Sequence, residues 1–340
     1  MKKLFIALLI CIMGFSMFAC STDKVDPGNE GEGEQVNEVE DSKEPVRVAS
    51  LKGPTSMGLV KLINDEEEKE NSSYEFNIVT MADEIVTGIS TGEIDIAALP
   101  ANLASVLYNK TGGQIKVAAV NTLGVLYIVE NGETVTDFED LKGKTIITTG
   151  KGQAPELVLN YLLTQNGLVP NKDVTIEFKS ESTEVATILS SEENVVAVLP
   201  EPFITSAKMN NDRIRTVFDM TEEWSKLQDE DGSSLVTGVL VVRDEFLKDN
   251  KEQFDKFLTQ YEKSIAFTNN NIDEAAALID KYGIIKEGVA KTAIPKCNIS
   301  YVDGSKLVQS LGGYLVILHE ANPQSIGGKL PDEEFYYAKE

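Results

Sequence analysis

Apolar positions along the chain follow two periods, and the switches between them define the predicted elements. Val46-Arg47-Val48-Ala49-Ser50-Leu51 has the pattern of a strand, breaks at Lys52-Gly53-Pro54-Thr55-Ser56, and gives way to Met57, Leu59, Val60, Leu62 and Ile63 at helical spacing. The same order returns in the second half. There Thr145-Ile146-Ile147-Thr148-Thr149 breaks at Gly150-Lys151-Gly152-Gln153-Ala154-Pro155 ahead of Leu157, Val158, Tyr161, Leu162 and Leu163. Ile94-Asp95-Ile96-Ala97-Ala98-Leu99-Pro100-Ala101-Asn102 is likewise answered by Val195-Val196-Ala197-Val198-Leu199-Pro200-Glu201-Pro202. Two similarly built α/β units in succession are predicted.

The near-continuous apolar strands read as central and parallel with helices on both faces, because a half-exposed strand would alternate with polar residues. The expected fold class is α/β, two doubly wound lobes joined by two hinge strands. In such sheets the ligand crevice lies beyond the carboxyl ends of the strands, so the turns at Gly53–Ser56 and Gly150–Pro155 and both Leu-Pro corners should border one cleft. Thr122–Val129 and Val236–Val242 share Gly-Val-Leu and read as the two crossing segments. Lobe one is then discontinuous: residues 46–123 open it, residues 124–237 form lobe two, and residues 238–340 return to lobe one and add C-terminal helices. Phe254, Phe257, Leu258, Tyr261 and Ile265 mark one apolar helical face, and Leu307, Leu311, Leu315 and Leu318 another.

Ahead of the body, Lys2-Lys3 runs into an apolar stretch from Leu4 to Phe18 and stops at Ala19-Cys20. That stretch is shorter than the roughly twenty residues of a membrane span, and a small residue before a single Cys fits cleavage there. Residues 1–19 read as a lipoprotein signal and Cys20 as the lipidated, palmitate-bearing N-terminus. Residues 20–45 read as an acidic flexible tether without apolar periodicity. The expected location is extracytoplasmic, held to the cell membrane by lipid. Acidic residues outnumber basic ones 55 to 31, a formal charge of −24, which argues against a basic face for nucleic acid or anionic lipid. With Cys11 in the signal and Cys20 lipidated, Cys297 stands alone, so no intramolecular disulfide is expected and Cys297 reads as a small buried residue.

Catalytic and metal chemistry find little footing. His319 is the one histidine, which excludes a His-based triad or a multi-His zinc site. Gly143-Lys144-Thr145 ends like a phosphate loop, but Phe138 stands where its first glycine is required. Asp229-Glu230-Asp231-Gly232 lacks the downstream spacing of an EF-hand and reads as a solvated turn. No cofactor, metal or catalytic residue is assigned.

Binding chemistry is easier to place. The helix starts at Thr55-Ser56 and Gly152-Gln153 offer unpaired backbone N–H groups to a ligand oxygen, with simple capping and turning as the competing role. Arg47, Arg213, Arg215 and Arg243 all fall outside the predicted cleft loops, which leaves Lys52 and Lys151 as cleft cations. Against these stand Glu201 and Asp83. Trp224 is a stacking candidate or, equally, a core residue. The balance favours a neutral or amino-bearing small organic molecule over a hard oxyanion.

Gly92-Glu93-Ile94-Asp95-Ile96-Ala97-Ala98-Leu99-Pro100, Asp140-Leu141-Lys142-Gly143-Lys144-Thr145 and Val198-Leu199-Pro200-Glu201-Pro202-Phe203 resemble the extracytoplasmic substrate-binding proteins of ABC importers. Within them the chain is similar to the nitrate/sulfonate/taurine and thiamine-pyrimidine-precursor type, from Val46 to Tyr337. The resemblance implies the type II periplasmic-binding-protein-like fold, closing on a small molecule and delivering it to a membrane permease. It implies ligand contacts at Thr55, Ser56, Met57, Asn102, Gly150, Gly152, Gln153 and Glu201; Trp224 and Thr237 complete the candidate set. The Cys-rich motif of the fungal pyrimidine-synthesising relatives is absent, which argues against that enzymatic role. A monomer is expected. A ligand-sensing lipoprotein that reports to a membrane receptor, and an extracytoplasmic enzyme on the same fold, stay open as alternatives.

Overall fold

The computed structural model describes residues 44–228 and 232–338. The signal, the lipidation candidate Cys20, the tether up to residue 43 and the acidic run Asp229-Glu230-Asp231 lie outside the described residues. Lobe one begins with β1 (Val46–Leu51), α1 (Pro54–Met57), α2 (Val60–Glu67), β2 (Tyr74–Val79), α3 (Ala82–Thr91), β3 (Ile96–Pro100), α4 (Ala101–Thr111) and β4 (Ile115–Leu123). Lobe two follows with β5 (Leu126–Asn131), β6 (Thr145–Thr148), α5 (Ala154–Gln165), β7 (Thr175–Phe178), α6 (Ser182–Ser191), β8 (Val195–Pro200), α7 (Phe203–Asn210), β9 (Ile214–Asp219) and α8 (Met220–Lys226). The return to lobe one supplies β10 (Val236–Arg243), α9 (Asp244–Asn270), α10 (Ile272–Lys281), α11 (Glu287–Ala293), β11 (Ile299–Val302) and α12 (Gly304–Ala321).

The two sheets repeat one plan. Lobe one has the order β11-β4-β10-β3-β1-β2 and lobe two the order β7-β6-β8-β5-β9. In each, three parallel strands (β2, β1, β3; β7, β6, β8) are followed by one that runs against them, β10 or β5, and then by β4 or β9. The apolar runs of β3, β8 and β10 are buried on both faces, as expected of strands between two helical layers.

The all-parallel expectation is corrected at β5 and β10. So is the position of the second crossing. Gly238-Val239-Leu240 lies in the middle of the lobe-one sheet, paired with β3 on one side and β4 on the other. A Cβ at Gly238 would run into Thr55 and the Asn121 side chain, which explains the glycine by packing rather than by hinge motion. Thr122–Val129 is likewise two strands, with the chain passing between lobes at Gly124-Val125. The second passage falls between α8 and β10, and its described part includes Ser233, Ser234 and Leu235. The two passages touch: a Cβ at Gly124 would collide with Leu235 and Thr221.

Each lobe also ties its strands with a buried carboxylate. Asp95, at the edge of lobe one away from the cleft, accepts from Arg47 Nε at 2.9 Å and Nη2 at 2.7 Å, and from Arg243 Nη2 at 2.8 Å. In lobe two Glu130 accepts from the Thr134 and Val135 backbone N–H groups and pairs with Arg215. Burial pushes both carboxyls up, but these donors outweigh it and hold both below the usual carboxylate range.

Candidate functional site

The carboxyl ends of β1, β3, β6 and β8 turn directly into α1, α4, α5 and α7. Between the lobes lies a cavity of about 220 Å³. Lobe one contributes Pro100, Asn102 and Tyr314, and lobe two contributes Gln153, Ala154, Pro155, Val158 and Pro200. The two passages and the strand starts that follow them supply Val125 and Leu126 on one side and Leu235, Val236 and Thr237 on the other. The wall is mainly aliphatic and proline, carries no charged side chain, and has Asn102, Gln153, Thr237 and Tyr314 as its residues with polar side chains.

A wider recess of about 520 Å³ adjoins it along Gln153 and Pro155, at the carboxyl edge of the lobe-two sheet. Gly150, Lys151, Lys179, Glu181 and Phe203 border this recess. Lys179 pairs with Glu177 at 2.8 Å, and the Lys151 ammonium stands 5.7 Å from the Phe178 ring centroid.

Of the residues singled out in the sequence, Asn102, Gln153 and Thr237 border the interlobe cavity, and Gly150 and Lys151 border the recess. The others are turned to different work. Thr55 Oγ1 donates to the Leu51 carbonyl at 2.7 Å, and Ser56 Oγ donates to the Gly53 carbonyl at 2.9 Å, so both hydroxyls close their own turn. Met57 is part of the lobe-one core among Leu59, Val60 and Ile265. The Gly152 N–H is taken by the Glu156 carboxylate, an internal anion at the start of α5, and Pro155 removes a further donor from that turn.

Trp224, as a stacking platform, is corrected. It is 0 % exposed, its Nε1–H donates to Ser233 O at 3.2 Å and Ser233 Oγ at 3.1 Å, and its ring packs on Tyr161 of lobe two and Tyr314 of lobe one. It is a core residue at the lobe junction.

Glu201 is also drawn inward. It is 1 % exposed, its Oε2 accepts from the Thr205 N–H at 3.1 Å, and its Oε1 lies 4.0 Å from Lys296 Nζ in lobe one. It therefore caps α7 and faces an interlobe ion-pair partner rather than the cavity. The Tyr127 hydroxyl adds a second link, donating to the Lys296 carbonyl at 2.9 Å. Burial raises the Glu201 carboxyl above its ordinary range, a shift opposed by the Thr205 hydrogen bond and by Lys296. A carboxyl raised in the folded state lends stability below its ordinary value and loses it as pH rises through the raised one. Glu201→Gln should therefore gain on the parent as pH rises from the ordinary carboxylate range through the raised value. Melting curves across that interval check it, and curves that stay parallel remove the burial argument.

Sequence reasoning missed Val158, Leu235 and Tyr314. Tyr314 lies three residues beyond Leu311 on the apolar face of α12, so the helical period carries a signal for its burial but none for the cavity it meets. Among the described residues, no group of three His, Cys, Asp or Glu side chains is placed to hold a metal ion. No described helix is long and apolar enough to cross a membrane.

Comparisons with known proteins agree with this architecture. Residues 65–292 match the family model of the phosphonate periplasmic substrate-binding protein of ABC transporters. An ABC transporter structure from Parabacteroides distasonis shares 23 % identity over 87 % of this chain and 99 % of its own, with a TM-score of 0.73. The periplasmic aliphatic sulphonate binding protein SsuA from Escherichia coli shares 14 % over 87 % and 92 %, with a TM-score of 0.68. The alkanesulfonate-binding protein SsuA from Xanthomonas axonopodis pv. citri, bound to MOPS, shares 12 % over 85 % and 94 %, with a TM-score of 0.61. At these identities the likeness is one of fold. A comparison with curated protein sequences gave no match. The match over most of the folded body identifies the chain as a member of the phosphonate-type periplasmic substrate-binding proteins of ABC transporters.

Proposed function

We propose that this substrate-binding protein is anchored by lipid at Cys20 and captures a small organic molecule with a compact apolar body between its lobes for delivery to a membrane permease. The observation that carries the ligand class is the interlobe cavity, aliphatic on most sides and free of charged side chains. Burying apolar ligand surface there contributes roughly 25 cal/mol per Å². Orientation falls to a few uncharged polar groups. Contacts from both lobes favour the closed form over the open one, which is all that ligand-driven closure requires.

A second reading rests on Lys151 and Lys179 in the adjoining recess. An organophosphonate or sulfonate would lay its carbon chain in the cavity and its head against these two ammonium groups. A thermal-shift series separates the two. A ligand present at a hundred times its dissociation constant stabilises the protein by about 2.7 kcal/mol. Neutral pyrimidines should give the larger shift on the first reading, and butane-1-sulfonate or butylphosphonate on the second. For the anchor, the parent is expected to incorporate labelled palmitate and Cys20→Ser to incorporate none. Equal labelling of the two would exclude lipid at Cys20.

A further inference from the structure

The polar groups around the interlobe cavity are not equally committed. Asn102 spends its Nδ2 on the Ser325 carbonyl at 3.2 Å, and Gln153 sits exposed at the start of α5. The Tyr314 hydroxyl differs from both. Its residue is 2 % exposed and borders the cavity, its hydroxyl makes no hydrogen bond among the described residues, and that oxygen is not among the polar atoms sealed away without a partner, so it keeps access to the cavity it borders. The ring is also held in place. It meets Trp224 at 5.8 Å between centroids and 60°, while Trp224 is fixed by Tyr161 at 4.7 Å and by Ser233. One residue earlier, Gly313 packs so closely that a Cβ would lie 2.6 Å from Ser233 Cβ, which fixes α12 against the second passage between lobes.

We propose that Tyr314 is the specificity-determining residue of this cavity, its hydroxyl donating to an uncharged acceptor, a carbonyl oxygen or ring nitrogen, on a compact and largely apolar ligand. This rests on the reading of the cavity given above. Burial pushes the phenol well above its ordinary value, so it remains a donor at neutral pH. A ligand that fills the cavity takes water away from this hydroxyl, and the lost hydrogen bonding is recovered only when the ligand brings a partner. A site built to hydrogen-bond one polar atom discriminates against the analogue lacking it far more strongly than a purely apolar site does.

The test is calorimetric titration of the full chain and of Tyr314→Phe with three probes. These are 4-amino-2-methylpyrimidine, its ring-nitrogen-free counterpart 3-methylaniline, and butane-1-sulfonate. The parent should bind the pyrimidine at least ~10-fold more tightly than the aniline, and Tyr314→Phe should lose that preference with its melting temperature unchanged. If Tyr314→Phe keeps the preference, the assignment to Tyr314 is overturned while the neutral-ligand reading stands. Binding of the sulfonate alone, or of none of the three, overturns that reading and the assignment with it.

Discussion

Gln153→Trp should weaken ligand binding by ~100-fold or more while leaving the unliganded protein close to its original stability. Gln153 is exposed at the start of α5, makes no side-chain capping bond, and borders both the cavity and the recess. An indole there occupies a large part of a space of about 220 Å³. Because the position is exposed before substitution, the cost to folding is that of a surface change, within about 0.5 kcal/mol. The loss corresponds to at least about 2.7 kcal/mol of binding free energy. Titration of parent and variant with whichever probe binds the parent supplies the comparison. Equal affinities would remove this cavity as the ligand site on either reading of ligand charge.

The largest effect on stability is expected from Asp95→Ala. The Asp95 side chain is 4 % exposed and gathers Arg47 from β1 and Arg243 from the end of β10. Its removal leaves Arg243, only 15 % exposed, without its buried partner. Breaking a buried charge pair from one side costs about 3 to 5 kcal/mol. At about 2 to 4 °C per kcal/mol for a body of this size, the melting temperature should fall by roughly 6 to 20 °C. Asp95 is held below its ordinary range, so its contribution is present above that range and disappears as pH falls through the depressed value. Parent and Asp95→Ala should therefore converge in acid. A difference that persists unchanged at low pH would locate the effect in packing instead of charge.

Much of the fold was legible because its strands are written in local pattern. Ile96–Leu99 and Val195–Leu199 are apolar without a break, and each ends at a proline, Pro100 immediately before α4 and Pro200 three residues before the start of α7. Strand direction is not written that way. Val236–Val242 has the same composition whether it runs with or against its neighbours, and only its place after lobe two makes it the antiparallel centre of lobe one. Which residues border the candidate cavity was legible where one loop decides it, as at Gln153 and Asn102. It was hidden where distant elements decide it. Trp224 is sealed by Tyr161 and Tyr314 from opposite lobes, and Glu201 faces Lys296 across the junction. Gly152 misled for a local reason, since the carboxylate that occupies its N–H is four residues on in the same chain.

The contact between Gly124 and Leu235 has a geometric consequence for uptake. Two connections lying side by side act as one axle, and under rotation a wall residue is displaced in proportion to its distance from that axle. Val125, Leu126, Leu235 and Val236 are on it or beside it, so a rotation of the lobes about it would displace this part of the cavity wall least. Lys151 and Lys179 border the recess, whose wall includes neither passage. The stretch of wall built by the passages is thus the part whose shape depends least on the angle between the lobes.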